Sequence, residues 1–104
     1  MRRGYLGIAG ADIRLPGEVV GRLGLPHDRA VLAIRVDACS PAARAGVREG
    51  DAIVALDAKP LTGVAALTRL LDGESIGRPA GLAVVRSGQR IELRVTPREI
   101  DPAN

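Results

Sequence analysis

The chain of 104 residues predicts an α+β fold: a partly open antiparallel sheet or small barrel, capped by helices. Three observations carry this. Short apolar runs recur along the chain, and the last of them alternates with period two. Segments with helical spacing lie between those runs. The two kinds of segment do not alternate strictly, as a parallel βαβ sheet would require.

The elements are predicted in order as follows. Residues 5–9 form a short apolar run interrupted by Gly7. Residues 17–25, bounded by Pro16 and Pro26, suggest a short helix with Val19, Val20, Leu23 and Leu25 on its apolar face. Residues 31–36 are apolar except for Arg35, and residues 52–56 are wholly apolar, so both read as strands. Between them, Ser40-Pro41-Ala42-Ala43-Arg44-Ala45-Gly46 reads as a helix. Ser40 suits its N-cap, Pro41 its first turn and Gly46 a left-handed stop. A longer helix is predicted over residues 64–71, with Thr62 as cap and Val64, Leu67, Leu70 and Leu71 along one stripe. Residues 82–85, the turn Arg86-Ser87-Gly88-Gln89 and the alternating Arg90-Ile91-Glu92-Leu93-Arg94-Val95 predict a hairpin with one solvated face. Residues 100–104 read as a frayed tail.

Composition excludes several functions. Tyr5 is the only aromatic residue, so the core must be aliphatic and there is no platform for stacking bases. The net charge is +3, and all basic residues but Lys59 are Arg. They are scattered and sit near acids, as in Arg48-Glu49, whereas a nucleic-acid binder gathers them on one face. A solvated surface of mixed charge is the better account, and no nucleic-acid partner is expected. Cys39 stands alone, which rules out an internal disulfide, and no Cys/His spacing suggests a metal. No cofactor is expected. The chain is too polar for a membrane span, and Met1-Arg2-Arg3 opens no signal peptide. Structured-looking sequence from the start reads as one domain, residues 1–104, taken from a longer protein.

Catalysis finds little support. His27 is the only histidine and sits in a turn-like stretch. Ser40, Ser75 and Ser87 are a helix cap and two loop residues, none in a Gly-flanked nucleophile turn. A Cys39 nucleophile would need His27 as its base. Glu49 and Asp51 flank Gly50 where a turn enters a strand, which suits capping better than acid–base work.

Binding is better founded. Gly4 and Gly7 bracket Tyr5 and Leu6 at a strand entrance. Glycines there let consecutive N–H groups turn toward an anion. A strand left unpaired on one edge accepts an extended peptide, with the helix stripe as apolar wall. On spacing alone, a simple bend with core-filling leucines explains these residues equally well.

Arg3-Gly4-Tyr5-Leu6-Gly7-Ile8 resembles the carboxylate-binding loop of a PDZ domain, in the form found in bacterial HtrA-type (DegP-like) serine proteases. The block Ser40-Pro41-Ala42-Ala43-Arg44-Ala45-Gly46-Val47-Arg48-Glu49-Gly50-Asp51-Ala52-Ile53, well removed along the chain from that loop, resembles the family's most diagnostic segment. Asp57-Ala58-Lys59-Pro60-Leu61, the helix around Ala65-Ala66-Leu67 and the closing hairpin fit in the same order, so the resemblance spans about residues 3–97 and leaves 98–104 as tail.

The resemblance implies a PDZ-like fold: a partly open antiparallel sandwich or barrel of five to six strands, capped by two helices, with a further short helix in an insertion. It also implies a mechanism. Amides of Leu6, Gly7 and Ile8 would receive a peptide's terminal carboxylate, and Ile8, Ala9 and Gly10 would pair with the incoming strand. Tyr5 belongs to the same loop. Leu6, Ile8, Leu67 and Leu70, with Leu71 beside them, would line a pocket for an apolar last side chain. Arg2 or Arg3 adds charge near the carboxylate or is simply solvated. With Thr62 as cap, Gly63 would be the first groove-facing helical position. It lacks the His with which many PDZ domains select a hydroxyl two residues before the terminus, so an apolar or permissive preference is implied there.

Two features depart from the family. Ala58 replaces the usual turn Gly, so the turn is either strained or altered. Residues 11–29 form an insertion that would partly cover the groove.

The function implied is recognition of apolar C-terminal or exposed unfolded segments by strand addition, serving substrate recognition or regulation of a serine protease. The partners would be those segments and the parent protease domain, in the periplasm or cell envelope. The domain itself would not be an enzyme. A scaffold or assembly PDZ domain of another bacterial protease or secretion protein, without terminus recognition, is the alternative. A stand-alone hydrolase using Cys39 or His27 is the third reading.

Overall fold

The computed structural model describes residues 3–99. The chain runs β1 (Gly4–Tyr5), β2 (Ile8–Arg14), α1 (Gly17–Leu23), β3 (Arg29–Val36), α2 (Pro41–Ala45), β4 (Ala52–Leu56), β5 (Lys59–Pro60) and α3 (Val64–Leu70). A 3-10 turn at Gly73–Ser75 leads to β6 (Ala80–Arg86), β7 (Gln89–Val95) and β8 (Arg98–Glu99). The main sheet is antiparallel, in the order β2-β3-β4-β6-β7 with β5 paired to β4, and β1 pairs with β8 in a small second ladder. The fold is the α+β, PDZ-like architecture expected. Residues 100–104, expected as a tail, lie outside the described residues, as do Met1 and Arg2. Arg98 and Glu99, placed in that tail by the resemblance, instead form β8.

Period-two alternation along the central strands divides their side chains between two cores. Val31, Ala33, Ile53, Leu82 and Val84 face one side and pack with Leu6, Ala42, Leu61, Leu67 and Leu71 under α2 and α3. Ala30, Ala52, Val54, Ala83 and Val85 face the other, where Val19, Val20 and Leu23 of α1 cover them together with Leu15 and Leu25. The solvated face predicted for the hairpin is therefore restricted to β7, where exposed Arg90, Glu92 and Arg94 alternate with half-buried Ile91 and Leu93. The centre of β6 is buried on both faces, because the inserted helix α1 lies on the side expected to meet water.

Local chemistry explains the ends of the elements. Ser40 caps α2, its Oγ accepting from the Ala43 amide at 3.1 Å, and Gly46 stops the helix at φ 100°. The hairpin closes on Ser87 and Gly88, both at positive φ (52° and 75°), as a two-residue turn matched to strand twist requires. The turn between β4 and β5 has the same form, with Asp57 at φ 53° and Ala58 at φ 66°. Ala58 therefore occupies a left-handed position with no polar side chain to support it.

Asp51 is 2% exposed and holds three parts of the fold together. Its carboxylate accepts from the Arg48 amide (2.9 Å) and from Arg86 Nε and Nη2 (2.9 and 2.7 Å), while Arg86 Nη2 also donates to the Gly46 carbonyl at 2.7 Å. The capping role expected of Asp51 is present, and the partner that sequence reading missed is Arg86. Burial pushes the Asp51 carboxyl up, but the Arg86 and Arg48 hydrogen bonds and the guanidinium charge outweigh it and hold the group below its ordinary value.

Two predictions follow from these sites. Ala58→Gly relieves the left-handed alanine and is expected to stabilise the fold by about 1 kcal/mol, raising the melting temperature by roughly 4–8 °C; an unchanged or lower value in calorimetry would contradict a strained turn. Arg86→Met leaves Asp51 charged and buried without its partner, at a cost of about 3 kcal/mol at neutral pH. Because Asp51 titrates lower in the fold than in the unfolded chain, the pair stabilises above the ordinary carboxylate range, and that contribution disappears as pH falls through the folded value. Urea midpoints of the two proteins should therefore converge in acid and separate toward neutrality.

Candidate functional site

The loop between β1 and β2 is shaped by where its carbonyls go. Leu6 O accepts from the Ala42 amide at 2.9 Å, supplying one of the acceptors that the N-terminus of α2 lacks. Gly7 O accepts from the Asp37 amide at 2.8 Å, at the end of β3. With both carbonyls turned into the protein, the N–H groups of the same peptide units, those of Gly7 and Ile8, turn outward, and the Leu6 and Gly7 amides find no acceptor among the described residues. Gly7 makes this possible: its φ is 87°, and a Cβ there would sit 2.2 Å from Ser40 Cβ. The Ser40–Ile53 block, remote in sequence, thus packs its first residue directly behind the loop.

The same hydrogen bond fixes the register of β2. Gly7 bonds to Asp37 and Ile8 stands opposite Val36, so in the antiparallel alternation the main-chain groups of Ile8 point away from β3, toward the free edge of the sheet. β2 is the edge strand, and α3 lies across from that edge. Between them opens a cavity of about 410 Å³, lined by Gly4 to Gly10, by Val64, Leu67, Thr68 and Leu71 of α3, and by Val31 beneath. Gly10 faces inward, where a Cβ would meet Val31 Cγ1 at 2.6 Å and Val64 Cγ2 at 3.5 Å, so its missing side chain lets strand and helix come this close.

The groove is tied at both ends. Gly4 N donates to Leu71 O at 2.8 Å beside the C-terminus of α3. At the other end, Asp12 Oδ1 on β2 accepts from the Val64 amide at 2.7 Å. Thr62 is therefore not the cap. Gly63 holds that position without a side-chain bond, and the acceptor comes from a strand 52 residues away in sequence. A Cβ on Gly63 would lie 2.8 Å from the Asp12 carboxylate, so a side chain there would have to displace that acceptor.

Of the residues singled out from sequence, the structure gathers Tyr5, Leu6, Gly7, Ile8, Ala9, Gly10, Leu67 and Leu71 around this cavity. Leu70 lies off the lining and packs against the main core. Gly63 also lies off it, and the first helical residue is Val64, whose apolar side chain faces the groove in place of a donor. Sequence places Val64 on the apolar stripe without a groove role and does not single out Thr68; the one-turn spacing between them is the signal for both. The cavity contains no residue from 11–29, because α1 packs on the opposite face of the sheet and leaves the groove uncovered.

Charge is concentrated near the loop. Arg3 and Arg35 line the cavity, and Arg35 has no ion pair among the described residues. The Tyr5 hydroxyl donates to Asp37 Oδ2 at 2.7 Å, with the Arg98 guanidinium 4.9 Å from its ring centre. That hydrogen bond to Asp37 holds the phenol above its ordinary value, with burial and the carboxylate charge adding to it against Arg98.

Two of the catalytic candidates are engaged elsewhere. Ser40 is fully buried as a cap, and Ser75 Oγ donates to Asp72 O at 2.7 Å. Ser87 lies in the hairpin turn. His27 Nδ1 accepts from the Arg29 amide at 3.3 Å, and Cys39 is exposed in a shallow depression with Arg44, Arg94 and Arg98. Among the described residues, no group of three His, Cys, Asp or Glu side chains stands close enough to hold a metal, and no helix is long and apolar enough to cross a membrane.

A sheet edge faces a helix across an apolar groove, with a glycine loop at its mouth, a layout with room for an added strand. The family model for the PDZ domain matches residues 4–96, and the chain belongs to that family. Its relatives are HtrA-type serine proteases. It is 33% identical over 94 residues to the "Probable periplasmic serine endoprotease DegP-like" of Ectopseudomonas mendocina, covering 90% of this chain and 19% of that protein. To the periplasmic serine endoprotease DegP of Salmonella typhimurium it is 30% identical, covering 91% of this chain and 20% of that protein. The chain thus spans about a fifth of the length of these relatives. Among solved structures, the HtrA-type protease AlgW with a decapeptide superposes over 97% of this chain and 30% of its own, with a TM-score of 0.76 and 26% identity. The HtrA3 PDZ domain bound to a phage-derived ligand superposes over 96% of this chain and 89% of its own, with a TM-score of 0.69; at 22% identity that likeness concerns the fold.

Gly7→Ala tests the construction of the loop. The added methyl meets Ser40 at a left-handed position, so a loss of roughly 2 kcal/mol or more is expected. It should appear as a lower denaturation midpoint and as amide chemical-shift changes concentrated in the loop and at the start of α2. A variant with wild-type stability and spectrum would show that the loop is not pinned there.

Proposed function

We propose that this domain binds the free C-terminus of an apolar peptide segment by strand addition to β2. One observation carries the reading: both loop carbonyls are turned inward, so the Gly7 and Ile8 N–H groups of the same peptide units turn toward the mouth of an apolar groove, where the Leu6 and Gly7 amides have no acceptor among the described residues. In this reading the amides of Leu6, Gly7 and Ile8 hold the terminal carboxylate, with Arg35 adding positive charge nearby. Ile8 and Gly10 pair with the incoming strand through their edge-facing groups, with Ala9 between them. Leu6, Ile8, Leu67 and Leu71 take the last side chain, and Val64 makes the position two residues earlier apolar.

Its HtrA-type relatives support a role in substrate recognition or regulation of a serine endoprotease working in the periplasm or cell envelope. The peptides named in the neighbouring structures are consistent with that role.

Charged hydrogen bonds to the carboxylate are the specific element of this proposal. Amidating the terminus of a binding peptide is therefore expected to weaken affinity by about tenfold or more, read by isothermal calorimetry. Equal affinity of acid and amide would sink terminus recognition and favour an assembly role for the same fold.

A further inference from the structure

We propose that Asp12 is a specificity-determining residue of this groove: it ends the apolar part of the site and selects a Lys or Arg four residues before the peptide's terminus. The inference rests on the peptide-binding reading above and extends it to a position of the peptide that reading leaves unassigned.

The first argument is register. Main-chain groups of Ile8 point to the free edge, and in an extended strand those of Gly10 and Asp12 follow at every second residue. An antiparallel peptide whose last residue stands opposite Ile8 therefore places its residue two earlier opposite Gly10 and its residue four earlier opposite Asp12. Side chains at these positions share one face of the added strand, the face toward α3. The first two meet apolar surroundings, Leu67 and Leu71 and then Val31 and Val64. The third meets a carboxylate.

The second argument is the state of that carboxylate. Asp12 reaches across from β2 to the start of α3, where Oδ1 accepts from the Val64 amide. Oδ2 has no partner among the described residues, and Asp12 is exposed. The neighbouring Arg14 pairs with Asp28 at 3.9 Å instead. The helix-bound oxygen holds the side chain in place while its charge stays available.

The third argument is complementarity along the groove. Arg3 and Arg35 stand at the loop end together with Asp37, which the Tyr5 hydroxyl engages, and Asp12 stands at the other, so cations outnumber the anion where a carboxylate binds and the charge is negative where the peptide leaves. A peptide with an anionic terminus and an upstream cation matches both ends, and reversing it would oppose like charges.

The test uses the full chain and three acetylated pentapeptides with free C-termini: Lys-Ala-Val-Ala-Val and its counterparts with Ala or Glu replacing the Lys. The wild type is expected to bind the Lys peptide roughly fivefold tighter than the Ala peptide and the Glu peptide weakest. Asp12→Asn keeps an oxygen for the Val64 amide but removes the charge, so the spread among the three should collapse. The wild-type spread should also shrink in about 0.5 M salt, a readout that needs no variant. If all three peptides bind and their order is the same in Asp12→Asn and at high salt, the assignment of Asp12 is overturned while the groove reading stands. If none binds either protein, the groove reading fails and takes this inference with it.

Discussion

The site depends on two carbonyl oxygens that point into the protein, one toward α2 and one toward β3. Leu6 O and Gly7 O are bonded to the amides of Ala42 and Asp37, and everything on the ligand side follows from that. A peptide unit that turns its oxygen inward turns its N–H outward, so binding α2 behind the loop is what presents donors in front of it. Ser40 leaves no room for a side chain at residue 7, and Gly7 in turn lets α2 dock. The short helix and the loop are one device, although some thirty residues separate them.

The inserted segment changes the sheet more than the groove. By placing Val19, Val20 and Leu23 on Ala52, Val54, Ala83 and Val85, α1 covers the second face of β4 and β6 and leaves the wet face to β7. Small residues at 52 and 83 let the helix lie close. The Asp51–Arg86 pair sits at the junction of α2, β4 and β6, tying the stop of α2 to the sheet. A domain with one aromatic residue thus builds its core from aliphatic layers on two faces, with the buried Asp51–Arg86 ion pair between elements.

What could be read from sequence was what neighbours in sequence decide. The Ser40 cap with its Gly46 stop, the Ser87-Gly88 turn, the stripe on α3 and β4 itself all depend on spacings of a few residues. The loop was legible only through its resemblance to a family, since its bend alone fits a plain strand entrance equally well. What escaped was set by contacts across the fold. Asp12 displaced Thr62 as the acceptor at α3 because the edge of β2 passes that helix start, and nothing near Thr62 signals it. Arg86 lies 35 residues from Asp51, so only the turn half of the role of Asp51 was visible. Leu70 shares the stripe of Leu67, yet it packs half-buried against the core, and Val64 and Thr68 join Leu67 and Leu71 in the groove.

The hydrogen bonds that tie α3 to the β1–β2 segment at both ends, from Gly4 to Leu71 and from Val64 to Asp12, have a kinetic consequence. Swinging the helix open would break hydrogen bonds at its head and foot, which favours a slot whose width is set before anything arrives. Ordering the receptor then adds little to the entropy lost on association. Encounter should be governed by diffusion and charge, and differences among ligands should be expressed chiefly in how long each one stays.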